Sequence, residues 1–500
     1  MNFRNKMFTL ALLLVLVSGG VFAAGSADST ADVPEVWIWP TMSLVDPNGS
    51  NPEKLAEMQE LIVKEVGVMP YAYVPPASDA DTKKNLTLGS SSQRLDVWQG
   101  NWGDYKEIAR PINDLLDNYG PNVKKAFSDS QWAGVTDSDG NIWGLPRLGT
   151  MGHTHPTWFN NQMLEDNNIS MPQTIDQAID ALKKVRRSNP DAMILIHRLK
   201  SIRLGLSGAW TKYGYSNWMD SSGRLQPPEF QPGYKDFIAT MADWYSKGYI
   251  FKESFIKHDN IEVLKTGKVF MFSGWYSQIT IHFQRVLLAG ANPGLSYDHP
   301  NGFTGPKGLA MTNNASPYAA IMISKRSPNP EAAMKLMNWQ FDAGKDNVAT
   351  AVYGIQGKAW EWDDPNNKYY INRLVEPSEA MGNIYAGEFM VATGLGTDTW
   401  YAPNTADLKR HYEEIRDYAT NHDNGKMPFD FDVAYDIGAI KDNVAAYDDI
   451  QRALDEGTTN FIIGVRPLSE WNMFLEELKE VGIDDLYDAY TAQYNEIKGL

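Results

Sequence analysis

The chain has 500 residues, 43% of them hydrophobic, with 45 Lys and Arg against 62 Asp and Glu, a formal charge of −17 and no cysteine. The length suits two or three domains, or two lobes of one machine, and the apolar content allows a large core. The acidic balance excludes nucleic acid and anionic membranes as natural partners, since both would repel the surface. Without cysteine there can be no disulfide and no lipid on an N-terminal cysteine, so stability has to come from burial.

In chain order, Arg4 and Lys6 precede an apolar run at residues 8–17, which Ser18, Gly19 and Gly20 interrupt before Val21-Phe22-Ala23. This is the pattern of a signal peptide over residues 1–23. The run is shorter than the roughly 20 residues that span a bilayer. The protein is therefore expected to be exported, soluble and not lipid-anchored, most simply in a periplasm.

Residues 36–39 (VWIW) predict a buried strand closed by Pro40, and 52–66 predict a helix with Pro52 in its first turn. Further strands are expected at 69–74 and 95–98 (LDVW), with a polar helix or loop at 82–90 between them. Strand, helix, strand, helix, strand opens an α/β lobe with a parallel sheet, and such sheets bind ligands at the carboxyl ends of their strands. Residues 135–146 (VTDSDGNIWGLP) predict a hairpin turned at Asp139-Gly140. Asp137, Asp139 and Asn141 also resemble the start of a calcium loop, but position 148 is Leu where Glu is needed, so the turn reading is preferred. Helices are expected at 163–168 and at 174–187, the latter capped by Thr174. A short strand follows at 193–196, then an aromatic loop at 210–218, a helix at 234–247 and a short helix at 261–265. A strand at 269–272 precedes Ser273-Gly274-Trp275-Tyr276, and a strand at 318–324 precedes a helix at 330–341. The last third reads as helical, ending at 468–481 and 483–497.

The 16 Trp and 24 Tyr point to sugars, because aromatic faces pack on the C–H faces of sugar rings. Trp98, Trp102, Trp275 and Tyr276 are the first candidates for ring-stacking, since each ends or follows an apolar strand. Gly100, Gly103 and Gly274 would leave room for the sugar. Asn101 and Gln278 can bridge hydroxyls, and Asp104 can accept from them. Trp39, Arg147, Trp210 and Trp400 are further candidates by position. The cleft loops so chosen carry one cation, Lys212, with Arg147 nearby, so a neutral or mostly neutral ligand is expected.

Several segments together resemble the extracellular solute-binding proteins of family 1, which serve ATP-driven sugar importers. They are Leu95-Asp96-Val97-Trp98, the Asp139-Gly140-Asn141-Ile142-Trp143-Gly144-Leu145-Pro146 hairpin, residues 158–190, residues 267–271, residues 323–342, Gly354-Ile355-Gln356-Gly357 and residues 461–495. Two departures stand out. Residues 158–164 carry amides where the family often has charged groups. Residues 189–193 lack the oxygen ligands of the calcium loop that some members carry there, so no structural calcium is expected. The resemblance implies a two-lobed α/β fold of the type II periplasmic-binding-protein class, with interleaved lobes, a ligand cleft and a hinge. Lobe one is expected at 31–152 and 308–365, and lobe two at 153–307 and 366–500. It also implies an oligosaccharide ligand, the permease subunits of an ABC importer as partner, and a monomer.

The competing class is a secreted glycoside hydrolase or lyase, which needs two carboxylates flanking a bond. With so many acidic residues a pair can always be found, so that argument decides nothing. No G-x-S-x-G elbow, H-E-x-x-H motif or cysteine nucleophile is present. His153 and His155 could chelate a metal on a strand, but they have no third ligand nearby; no metal or cofactor is expected. A surface adhesion protein would be expected to show repeats, and none is found.

Overall fold

A computed structural model of the chain describes residues 33–39, 52–73, 80–146, 155–275, 288–313, 319–374, 400–401 and 424–500, with short omissions inside these spans, together with 410 and 413. The expected signal peptide, Arg147, Tyr276 and Gln278 lie outside the described residues.

The strands of the two main sheets are β1 (Glu35–Ile38), β2 (Met69–Ala72), β3 (Val97–Asn101), β4 (Leu145–Pro146), β5 (Thr157–Asn160), β6 (Met193–Ile196), β7 (Val269–Ser273), β8 (Tyr297–Asp298) and β9 (Ala319–Ile323). The first sheet has the order β2-β1-β3-β9-β4, and the second β8-β5-β7-β6. In the first, β1 runs parallel to β2 and β3, while β9 returns antiparallel between β3 and β4. In the second, β6 and β7 are parallel and β5 antiparallel to β7. Each sheet has its own core. Val36, Ile38, Val97, Leu145 and Ile321 pack with the helices α1 (Pro52–Val66) and α2 (Pro330–Gln340). Phe159, Ile194, Ile196 and Phe270 pack with α3 (Ile175–Ser188), α5 (Tyr234–Ser246) and the C-terminal helices. The result is a two-lobed α/β molecule in which β9 completes a sheet begun by β1.

Local sequence explains the elements. In α3, Ile175, Ala178, Ala181, Leu182 and Val185 recur at helical spacing and are all buried. Thr174 accepts from Gln177 N at 3.2 Å and so satisfies one of the free amides of the first turn. Thr174→Ala should cost about 1 kcal/mol in urea unfolding; an unchanged midpoint would show that the parallel bridge from Thr174 to Thr304 suffices without the cap. The expected hairpin is present: Thr136 pairs with Ile142, Gly140 takes φ +81°, and Asp137 accepts from Asp139 N and Asn141 N. Asn160, one of the amides at 158–164, caps the helix that follows it by accepting from Met163 N.

A third small sheet joins β10 (Trp360–Trp362), β11 (Tyr370–Arg373) and β12 (Trp400–Tyr401). Trp360 and Ile371 lie in the first core, and β11 pairs with β10 on one side and β12 on the other. Further on, Lys426 is fastened into the second lobe by donating to Gly208 O at 2.7 Å, Thr211 O at 2.5 Å and Lys307 O at 2.9 Å. Burial among these carbonyls pushes its pKa down to about 8.

Candidate ligand-binding site

The carboxyl ends of β1 and β3 in the first lobe, and of β6 and β7 in the second, are where a ligand is expected in such sheets. At the end of β3, Asn101 caps a single turn, residues 102–105, by accepting from Gly103 N at 3.3 Å. This turn meets the second lobe. Lys106 Nζ lies 2.8 Å from Asp436 Oδ2 and 3.5 Å from Asp137 Oδ2, and Lys441 Nζ lies 3.0 Å from Asp104 Oδ1. Asp436 is itself held in the second lobe, its amide donating to Gln493 Oε1 at 2.8 Å. Burial pulls the Lys106 pKa down, but Asp436 and Asp137 outweigh it and hold the group above the ordinary lysine value. Between the ion pairs the backbones touch: a Cβ on Gly438 would sit 1.8 Å from Gly103 O.

Several expected site residues have partners within the protein. Asp104 pairs with Lys441, and Asn101 is spent on the cap. Gly103 makes room for the Gly438 backbone, and Gly100 for the Tyr105 ring, whose Cε2 would lie 2.4 Å from a Cβ there. Trp98 is fully buried, because β9 pairs along all of β3 and places Trp98 opposite Met322 within the sheet instead of at its end. Trp102 is also buried. It stacks parallel to Trp143 at 6.4 Å and donates to Gly134 O. Trp39 lies in the same cluster, stacked on Tyr73 at 5.8 Å. Trp210 packs at 5.7 Å from Phe237 in the core of the second lobe. The backbone of Trp400 is in β12, paired with Tyr370 of β11.

Trp275 is different. It follows β7 by two residues and is 37% exposed, the most open tryptophan among the described candidates. Its ring meets His155 edge-on, with centroids 5.6 Å apart and planes at 85°. His155 precedes β5, whose Thr157 pairs with Ser273, so it stands at the same end of the sheet. His197 follows β6 there, its N–H donating to Ser273 O at 3.3 Å. Sequence reasoning missed this group. It applied the strand-end rule to aromatic residues after β1, β3 and β7 but not to the polar segment after β6, and it weighed His155 only as a metal ligand.

Burial, and then the nearby Lys200 and His197, depress the His155 pKa from its ordinary 6.5 to about 3. The unfolded chain therefore binds a proton that the folded one refuses. The resulting stability is fully present above about pH 6.5 and is lost as pH falls toward 3. Between pH 7 and pH 5 the loss from this group should be about 2 kcal/mol. His155→Gln should flatten the thermal-stability profile over that interval by a comparable amount; an equally steep profile would assign the loss to other groups.

Comparisons with known proteins follow this geometry. Residues 71–347, more than half of the chain, match the model of the family described as bacterial extracellular solute-binding protein. The fructooligosaccharide ABC transporter substrate-binding protein FusA of Streptococcus pneumoniae is 23% identical over 559 aligned positions, covering 98% of this chain and 100% of that protein. Among solved structures, an HMO-binding, ABC-transporter-associated solute-binding protein from Bifidobacterium longum infantis superposes with a TM-score of 0.69 at 16% identity, covering 93% of this chain and 99% of the other. The N-glycan transport solute-binding protein NgtS of Streptococcus pneumoniae gives 0.64 at 17% identity with the same coverage. The chain belongs to the bacterial extracellular solute-binding proteins, with their two-lobed type II fold.

Proposed function

We propose that the protein captures an oligosaccharide between its lobes outside the cytoplasmic membrane and delivers it to the permease subunits of an ABC importer. Family membership makes it a binder and not an enzyme, which sets aside the hydrolase or lyase alternative. The observation that carries the reading is the exposed Trp275 at a strand end of the second lobe, with the lobes meeting at the end of β3. A ring stacked on Trp275 and held by the first lobe would favour the closed arrangement, because only closure lets one ligand touch both. The relatives named above carry oligosaccharides in their names, which supports the ligand class. No helix among the described residues is long and apolar enough to cross a membrane. The protein acts as a monomer, with lobe one near 31–152 and 308–373 and lobe two near 153–307 and 424–500. A thermal-shift screen against oligosaccharides tests the function: a true ligand at 100 times its dissociation constant should stabilise by about 2.7 kcal/mol. A screen in which amino acids or peptides shift the transition and no glycan does would refute it.

A further inference from the structure

The group around Trp275 has an unusual charge. α4 (Leu199–Leu206) starts just after β6, with Arg198 at its N-cap position and Lys200 in its first turn. Arg198 has no side-chain capping bond, and the first turn contains no acidic residue. Both side chains are exposed. Neither side chain makes an ion pair or hydrogen bond among the described residues. Lys200 is close enough to His155 for its charge, after burial, to help keep that ring neutral, with His197 adding to the effect.

This arrangement is unfavourable as it stands. Cations are disfavoured at the start of a helix, where the peptide dipoles already point their positive end. Elsewhere Lys106, Lys441, Lys268 and Arg466 each meet a carboxylate within 3.1 Å, while other exposed lysines, Lys125 and Lys235 among them, stand without one among the described residues. In a protein with 62 acidic residues and a charge of −17, the described residues at this strand end place two exposed cations beside two imidazoles. The same end also holds the exposed tryptophan.

We infer that Arg198 and Lys200, with His197 behind them, form a subsite for an anionic group on the sugar, so that the ligand is an acidic oligosaccharide whose ring stacks on Trp275. The inference rests on the oligosaccharide reading and narrows it. The guanidinium of Arg198 offers a planar fork that suits a uronate carboxylate or a sulfate ester, and the Lys200 ammonium supplies a second point charge. The bound anion would supply a counter-charge to both cations. The sequence-based expectation of a neutral ligand counted cations only in loops that exclude residues 197–200.

The test is calorimetry on the purified protein with paired probes: uronate-containing and sulfated oligosaccharides, each beside its neutral counterpart of the same length and linkage. Acidic members should bind and their neutral partners bind at least about tenfold more weakly. The Arg198→Ala, Lys200→Ala double variant should erase that preference while the melting temperature of the ligand-free protein stays level or rises, since a repulsion is removed. Uronate against sulfate identifies which anion is read. Preference for the neutral member of each pair, or an acidic preference that survives in the double variant, overturns the subsite and leaves the solute-binding function standing. Binding of no glycan at all counts against that function itself, and the subsite falls with it.

Discussion

Arg203→Met is expected to lower the stability of the ligand-free protein by about 3–5 kcal/mol, measured by urea unfolding. Arg203 is 4% exposed and lies on α4 inside the second lobe. Its guanidinium reaches Glu229 at 3.3 Å, Tyr234 Oη at 3.2 Å, Leu454 O at 3.1 Å and Thr458 Oγ1 at 2.9 Å, and it also pairs with Asp455. It sits 5.1 Å from the centre of the Tyr215 ring. These partners come from two stretches of chain far apart in sequence, 215–234 and 454–458, so one side chain fastens the early part of the lobe to its C-terminal helices. Glu229 is 2% exposed; burial raises its pKa and Arg203 opposes that rise. Removing Arg203 alone leaves a carboxyl in the core with its charge partner gone, and that desolvation is the main cost. The pair itself contributes less than its geometry suggests, because two charges had to leave water to form it. Arg203→Met combined with Glu229→Met should therefore be less destabilised than Arg203→Met alone. A double variant whose loss equals the sum of the two single losses would show that the residues act independently and that the network is not a unit.

Much of the fold could be read locally. The helix at 52–66 was set by apolar spacing and Pro52, the 175–188 helix by Thr174, and the turn at 137–141 by Asp and Gly chemistry; all three stand in the structure. Most of the elements named from the sequence stand within a few residues of where they were placed, but the helices at 113–119, 121–126 and 199–206 were not among them. The site was harder to read because a strand's end depends on its partner. Residues 95–98 looked like a strand ending at Trp98, but β9 pairs from Val97 to Asn101 and extends it three residues further. That shift carries Trp98 from the mouth of the sheet into the packed interior. No local pattern announces a pairing made by a strand so distant in sequence. The charge at 197–200 was visible in the sequence, but only the parallel pairing of Ile196 with Ser273 shows that it stands beside Trp275.

Trp275→Ala and Trp98→Ala should give opposite signatures, and the contrast tests the placement of the site. Trp275 is 37% exposed and touches His155 through an edge contact, so truncating it leaves little apolar surface newly unsatisfied in the free protein. Its stability without ligand should barely move, while oligosaccharide affinity falls by about 1–3 kcal/mol, roughly 5- to 150-fold, as for a central aromatic anchor. Trp98 has no exposed surface and packs edge-on against Tyr105 at 5.9 Å within the cluster that includes Trp39, Trp102 and Met322. Truncating it opens a cavity the size of an indole in a closed core, and the fold should lose about 3–5 kcal/mol. Part of that cost is recovered because the buried Trp98 N–H has no hydrogen-bond partner among the described residues to lose. Affinity of the folded fraction should stay near that of the parent. Trp→Phe at each position sharpens the comparison: at 275 a flat ring remains and most affinity should return, whereas at 98 a smaller void remains and stability recovers only in part. If Trp275→Ala unfolds the free protein while the folded fraction binds as before, Trp275 is a core residue, and the ligand lies against another part of the second lobe.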